Sequence, residues 1–187
     1  MGFIERHNLW SDEQSHAAAE VARRIQTDGI ELVRLSFADL HGILRGKALL
    51  ADAMPSALKD GCAVTSTLLL KDTAHRTVVP VFSVGAGMDV PRLQGAGDIV
   101  MVPDPTTFRV LPWLQSTGWM LCDIYFPDGR PVLFSTRQLL RRTLGGSRPM
   151  GAAWSRASKW SFTLRASWIR GWRWRMRGSR ARLPRWS

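Results

Sequence analysis

The last 44 residues of the chain, 144 to 187, carry eleven Lys and Arg, six of the nine tryptophans and no acidic side chain. Like charges repel, and indoles scattered among arginines have no apolar partners. This stretch therefore cannot build a core and reads as a disordered tail. A fold must come from residues 1 to 143, where 15 basic and 15 acidic residues cancel. The net charge of +11 belongs to the tail, and the body has no electrostatic reason to seek a specific nucleic acid. No run approaches the ~20 apolar residues of a membrane span, and no leader pattern opens the chain, so a cytoplasmic protein is expected. Cys62 and Cys122 are too few for a disulfide framework and read as buried, reduced thiols.

Within the body the punctuation is clear. Ser11 with Gln14 forms a capping-box signal, after which Ala18, Val21, Ala22 and Ile25 recur at helical spacing until Gly29. Residues 30–37 and 43–50 are β-type runs joined by a tight connection containing Asp39 and Gly42, which predicts a hairpin. Asp52 is placed to cap a short helix bearing Met54 and Leu58, ended by Gly61. Residues 98–104, 105–113 and 118–126 read as further strands, the second cut short by its prolines, and Pro127 to Gly129 form a turn. Ser135 with Gln138 repeats the capping-box signal and opens a helix through Leu139, Leu140 and Leu144. The order predicts an α+β fold with a mixed sheet and flanking helices.

The ordered set Asp98, Pro103, Asp104, Thr107, Pro112, Trp113, Cys122, Asp123, Gly129 and Arg137, together with the segment LVRLSFADLHGILRGK, resembles the amino-terminal β-grasp domain of glutamine synthetases and γ-glutamyl amine ligases. The resemblance spans about 30 to 143. It implies an amino-terminal helix over 1–29, a β-grasp domain over 30–134, the start of a linker helix over 135–144 and the tail over 145–187. It further implies a parent enzyme that uses ATP and Mg or Mn to phosphorylate glutamate and transfer the acyl group to ammonia or an amine, working as identical subunits in a ring. The metal ligands of that family lie in a catalytic domain of which this sequence contains no copy, so the chain alone is expected to be inactive and to need no cofactor.

Ammonia-using members carry an Asp-Gly-Ser-Ser segment whose aspartate helps hold the ammonium. Here residues 63–76 stand in roughly that place without an acid at the matching position, which implies an amine other than ammonia, or Asp72 serving instead. The candidates for contributing to a neighbouring subunit's site are Ser66, Thr67, Asp72 and His75. Asp104 and Arg137 read as structural, capping or pairing within the fold.

After such a linker helix the family has a strand of the form Gly-x-Glu-x-Glu-Phe. If each codon's last base is read with the next two, Ala153 to Thr163 permits Leu-Val-Ala-Gly-Ile-Glu-Val-Glu-Phe-His, which contains that motif. The tail is therefore expected to be out of frame, with a junction near Thr143 to Ser147. The alternative is a non-enzymatic β-grasp module whose basic Arg/Trp tail binds nucleic acid or an anionic membrane.

Overall fold

A computed structural model of the chain describes residues 1–83 and 90–146. The shifted frame and residues 147–187 of the expected tail fall outside those described, whereas 145 and 146, expected to be disordered, are helical. Helix α1 (Phe3–Arg6) is a single turn that the sequence reading did not anticipate, and α2 (Asp12–Thr27) follows it. The capping box of α2 is complete: Gln14 N donates to Ser11 Oγ and Ser11 N to Gln14 Oε1, satisfying two orphan amides of the first turn. Val21 and Ile25, one helical turn apart, are the buried face of α2 and join the same apolar cluster as the sheet.

Strands β1 (Leu32–Ala38) and β2 (Leu44–Leu50) form the expected antiparallel hairpin, with Leu35 opposite Lys47. Its turn is held by Asp39 Oδ1, which accepts from the amides of His41 and Ile43 at 2.9 Å each. Gly42 takes the φ of +76° that such a tight turn demands. Helix α3 (Met54–Asp60) then leads through Gly61, at φ +73°, into β3 (Cys62–Thr65). Asp52 is not the cap of α3. It lies in a 3-10 turn at Ala51–Ala53, the position before α3 is Ala53, and Pro55 within the first turn of α3 removes one of the amides a cap would serve.

Three more strands complete the sheet: β4 (Asp98–Pro103), β5 (Arg109–Val110) and β6 (Thr117–Tyr125). Pro105–Thr107 is a 3-10 turn, which leaves β5 only two residues, and Asp104 caps that turn by accepting from Thr106 N. The strand order is β2-β1-β6-β4-β3, with β5 beside the start of β6. The β1–β6 pairing is parallel and all the others are antiparallel. Alternation on β1 and β6 sends Val33, Leu35, Phe37, Met120, Cys122 and Ile124 into the core. The sheet curls until its two edge strands meet, where Lys47 Nζ of β2 donates to Ala63 O of β3 at 2.8 Å.

The turn after β6 is as expected, with Gly129 N donating to Phe126 O and Gly129 at φ +80°. Helix α4 (Thr136–Gly146) has half of its expected capping box. Gln138 N donates to Ser135 Oγ at 3.4 Å, while Gln138 Oε1 is buried without a partner among the described residues and does not return the bond. Both cysteines are free, but only Cys122 is buried and Cys62 is partly exposed. Burial pushes the Cys122 thiol far above its ordinary pKa, so it packs as a small apolar group. Among the described residues no helix is long and apolar enough to cross a membrane.

Candidate functional site

Two polar clusters stand out against the apolar core. The first joins β4, β6 and α4. Arg137, in the first turn of α4, reaches Asp123 with Nη1 at 2.8 Å and Asp104 with Nη2, and the two carboxylates are almost wholly buried. Burial works to raise the pKa of Asp104. Hydrogen bonds from Thr106 Oγ1 and Arg137 outweigh it and hold the carboxyl at about 2. Asp104 is thus a buried anion whose partners pin a strand end, a turn and a helix start, in keeping with the structural role read from the sequence.

The second cluster lies where the hairpin turn meets the loop 71–77. Arg45, on β2, is buried and donates through Nε to Asp39 Oδ2 at 2.8 Å. Burial opposes ionisation of Asp39, but bonds from Arg45, Ile43 N and His41 N keep its pKa below the ordinary value. Sequence spacing places this pair: the two are six positions apart, and a turn with Gly42 at its bend folds the arginine back over the aspartate.

On the other side of the contact, Asp72 closes its own loop. Its Oδ1 accepts from Ala74 N and Arg76 N, and its Oδ2 accepts from Arg76 Nε. These bonds, the amide of Arg76 foremost, lower the Asp72 pKa. Lys71 and Thr77 form a bridge at the base, and Lys71 Nζ donates to His75 O. His75 takes the left-handed conformation, φ +63°, and its Nδ1 lies 2.6 Å from Arg45 Nη1. A guanidinium can only donate, so in this contact Nδ1 is the accepting atom.

Of the four residues picked from sequence, Asp72 and His75 share this loop. Ser66 and Thr67 lie apart from it, in the 3-10 turn Ser66–Leu70 that follows β3. Ser66 is fully buried, its amide donates to Gly97 O, and its Oγ has no partner among the described residues. Thr67 N donates to Thr65 Oγ1, the cap of that turn. Among the described residues no hydrogen bond links Ser66 or Thr67 to Asp72 or His75. Sequence reasoning passed over Arg45, although the motif that contains it was on view. The signal was the charge pair astride the Gly42 turn, which a hairpin brings to one end.

The arrangement has a counterpart among solved structures. The chain superposes on GmaS determined without ligand with a TM-score of 0.51 and 27% identity, over 67% of this chain and 25% of that one. The class is therefore that of a mixed-sheet domain that matches a quarter of a larger chain. The sequence is 40% identical over 147 residues to γ-glutamylanilide synthase of Acinetobacter sp., covering 77% of this chain and 29% of the relative. It is 32% identical over 141 residues to glutamine synthetase of Mycolicibacterium smegmatis, covering 70% and 26%. No family model matches the chain. The chain belongs to the glutamine synthetase family of ligases, and spans less than a third of the length of these relatives.

Proposed function

We propose that this chain is the amino-terminal part of an ATP-dependent ligase that joins the γ-carboxyl of glutamate to an amine nitrogen, inactive alone. In the parent it forms one wall of a site completed by an identical neighbouring subunit of a ring. The observation that carries this reading is the 40% identity over 147 residues to an enzyme named for making a glutamyl anilide.

Among the described residues no group of three or more His, Cys, Asp and Glu could hold a metal ion. No step through ATP or metal is assigned to the described domain. Its own part is to shape and polarise a wall. Loop 71–77 offers Asp72 and His75, Ser66 and Thr67 set the turn before it, and Val78 and Phe82, both largely exposed, follow directly. Exposed apolar side chains that follow this loop in the chain suit an ammonium that carries hydrocarbon better than bare ammonia, whose hydrogens all need acceptors. The absence of an acid at the matching position of the segment 63–76 supports the same choice.

The Arg/Trp tail is then an out-of-frame reading of the start of the catalytic domain. The test is to sequence the coding DNA from about codon 130 onward, express the continuous frame, and measure phosphate release from ATP with glutamate and a panel of ammonia, isopropylamine and aniline. An organic amine is expected to exceed ammonia in kcat/KM by about tenfold or more. Closure of every frame soon after the tail, or no turnover with any amine, would overturn the reading.

A further inference from the structure

We propose that Arg45 is a positioning residue for loop 71–77 and holds it docked on the β1–β2 hairpin only while His75 is neutral. The inference rests on the reading of that loop as part of the active-site wall, but the contact itself is geometric. His75 Nδ1 accepts from Arg45 Nη1 at 2.6 Å, and this bond joins side chains thirty residues apart. Protonating Nδ1 replaces an acceptor with an N–H facing the N–H of a permanent cation. The bond becomes a repulsion between like charges, with no intermediate state available to the arginine.

The surroundings do not rescue a charged ring. Asp39, at the end of β1, is committed to Arg45 and to the amides of His41 and Ile43. Asp72, on the loop itself, is committed to Arg76 and two loop amides. Lys71 and Arg76 on the loop, Arg45 on β2 and His41 in the hairpin turn add only positive or potentially positive charge. Among the described residues neither carboxylate makes an ion pair with His75.

Two further features weaken the docked loop. His75 is a non-glycine residue held at φ +63°, a conformation that costs energy unless contacts enforce it. Arg45 Nη2 is buried with no acceptor among the described residues, a deficit that water would relieve once the loop lifts. Arg45 itself stays in place when the loop leaves, because Asp39 holds it from the other side. The arginine is the fixed post and His75 the catch.

The test uses the full chain and amide hydrogen exchange, expressed as protection factors so that the intrinsic pH dependence of exchange cancels. The amides of Ala74, Arg76 and Val78, bonded to Asp72 Oδ1 and Leu70 O, report the loop. Those of β1 and β6 report the global fold. The wild-type loop is expected to lose about tenfold or more of its protection between pH 8 and pH 5.5 while the sheet keeps its own. Asparagine places an amide oxygen where Nδ1 stood, tolerates positive φ and does not titrate, so His75→Asn should keep the loop protected and insensitive to pH. Arg45→Lys should leave it unprotected at both pH values. Nitrogen NMR of the His75 ring at pH 8 should show the proton on Nε2.

A loop equally protected at both pH values, a His75→Asn loop that opens with acid as the wild type does, or a proton on Nδ1 at pH 8 would each overturn the proposal. None of these readouts requires catalysis. If the parent proves not to be a ligase while the loop still opens with acid, the family role fails and the catch stands.

Discussion

Lys47 Nζ on one edge strand donates to the carbonyl oxygen of Ala63 on the other, closing the curl of a sheet whose backbone ladders never join those two strands. A lysine can serve there because its long stem spans the gap and its charge keeps an exposed edge from pairing with another chain. Lys47 is exposed, so the bond should be weak: Lys47→Met is expected to lower stability by less than about 1 kcal/mol in urea titration. The sharper effect should be local, as faster amide exchange in β3 than in β1.

Arg137 is the reverse case, because both carboxylates it meets are almost entirely buried. Arg137→Met would remove the guanidinium that two buried carboxylates share. It should cost on the order of 3–5 kcal/mol, read as a fall in the urea midpoint with little change in slope. The double change that also replaces Asp104 by Asn should recover part of the loss. A single substitution costing under 1 kcal/mol would show that water already reaches the cluster.

Acid should act through the same cluster. The folded-state pKa of Asp104, about 2, lies below its ordinary value of 3.8, so folding favours the carboxylate. That contribution is complete above pH 4 and disappears as pH falls towards 2, with a size on the order of 2 kcal/mol. Urea midpoints of wild type and Asp104→Asn should therefore converge between pH 4 and pH 2.5 after differing clearly at pH 7.

Gly46 tests packing rather than charge. A β-carbon built on it would lie 1.8 Å from the carbonyl oxygen of Leu35, on the paired strand, where no side chain can rotate away. Gly46→Ala is expected to cost roughly 2–4 kcal/mol by forcing the hairpin apart. Circular dichroism melts against Gly42→Ala, which strains φ but meets nothing within 4 Å, would separate steric from conformational cost.

The hairpin, helix α2 and the last turn were legible because each is specified locally: Ser11 with Gln14, Asp39 with Gly42, Pro127 with Gly129. The sheet order was not, since nothing near Leu32 announces that its neighbour is Thr117. Asp52 was misplaced because a capping signal specifies a kind of residue near a helix start, and a 3-10 turn occupied the place where the helix was expected to begin. At the candidate loop, Asp72 and His75 were visible as chemistry. The Asp39–Arg45 pair astride the Gly42 turn was on view, but the contact of Arg45 with His75 was hidden, because it joins segments thirty residues apart. Such pairings obey the tertiary fold, and a single sequence carries no local mark of them.

Strand β6 is the last of the six in chain order, yet it lies between β1 and β4. On a ribosome, the β1–β2 hairpin and the β3–β4 pair would emerge as two separate ribbons, each with an unsatisfied inner edge. They could not merge until residue 125 had cleared the exit tunnel. The young chain would until then stay open to chaperones, or to the inner edges of its siblings. A translational pause before β6 would lengthen that exposure, whereas one after it would find the sheet already sealed.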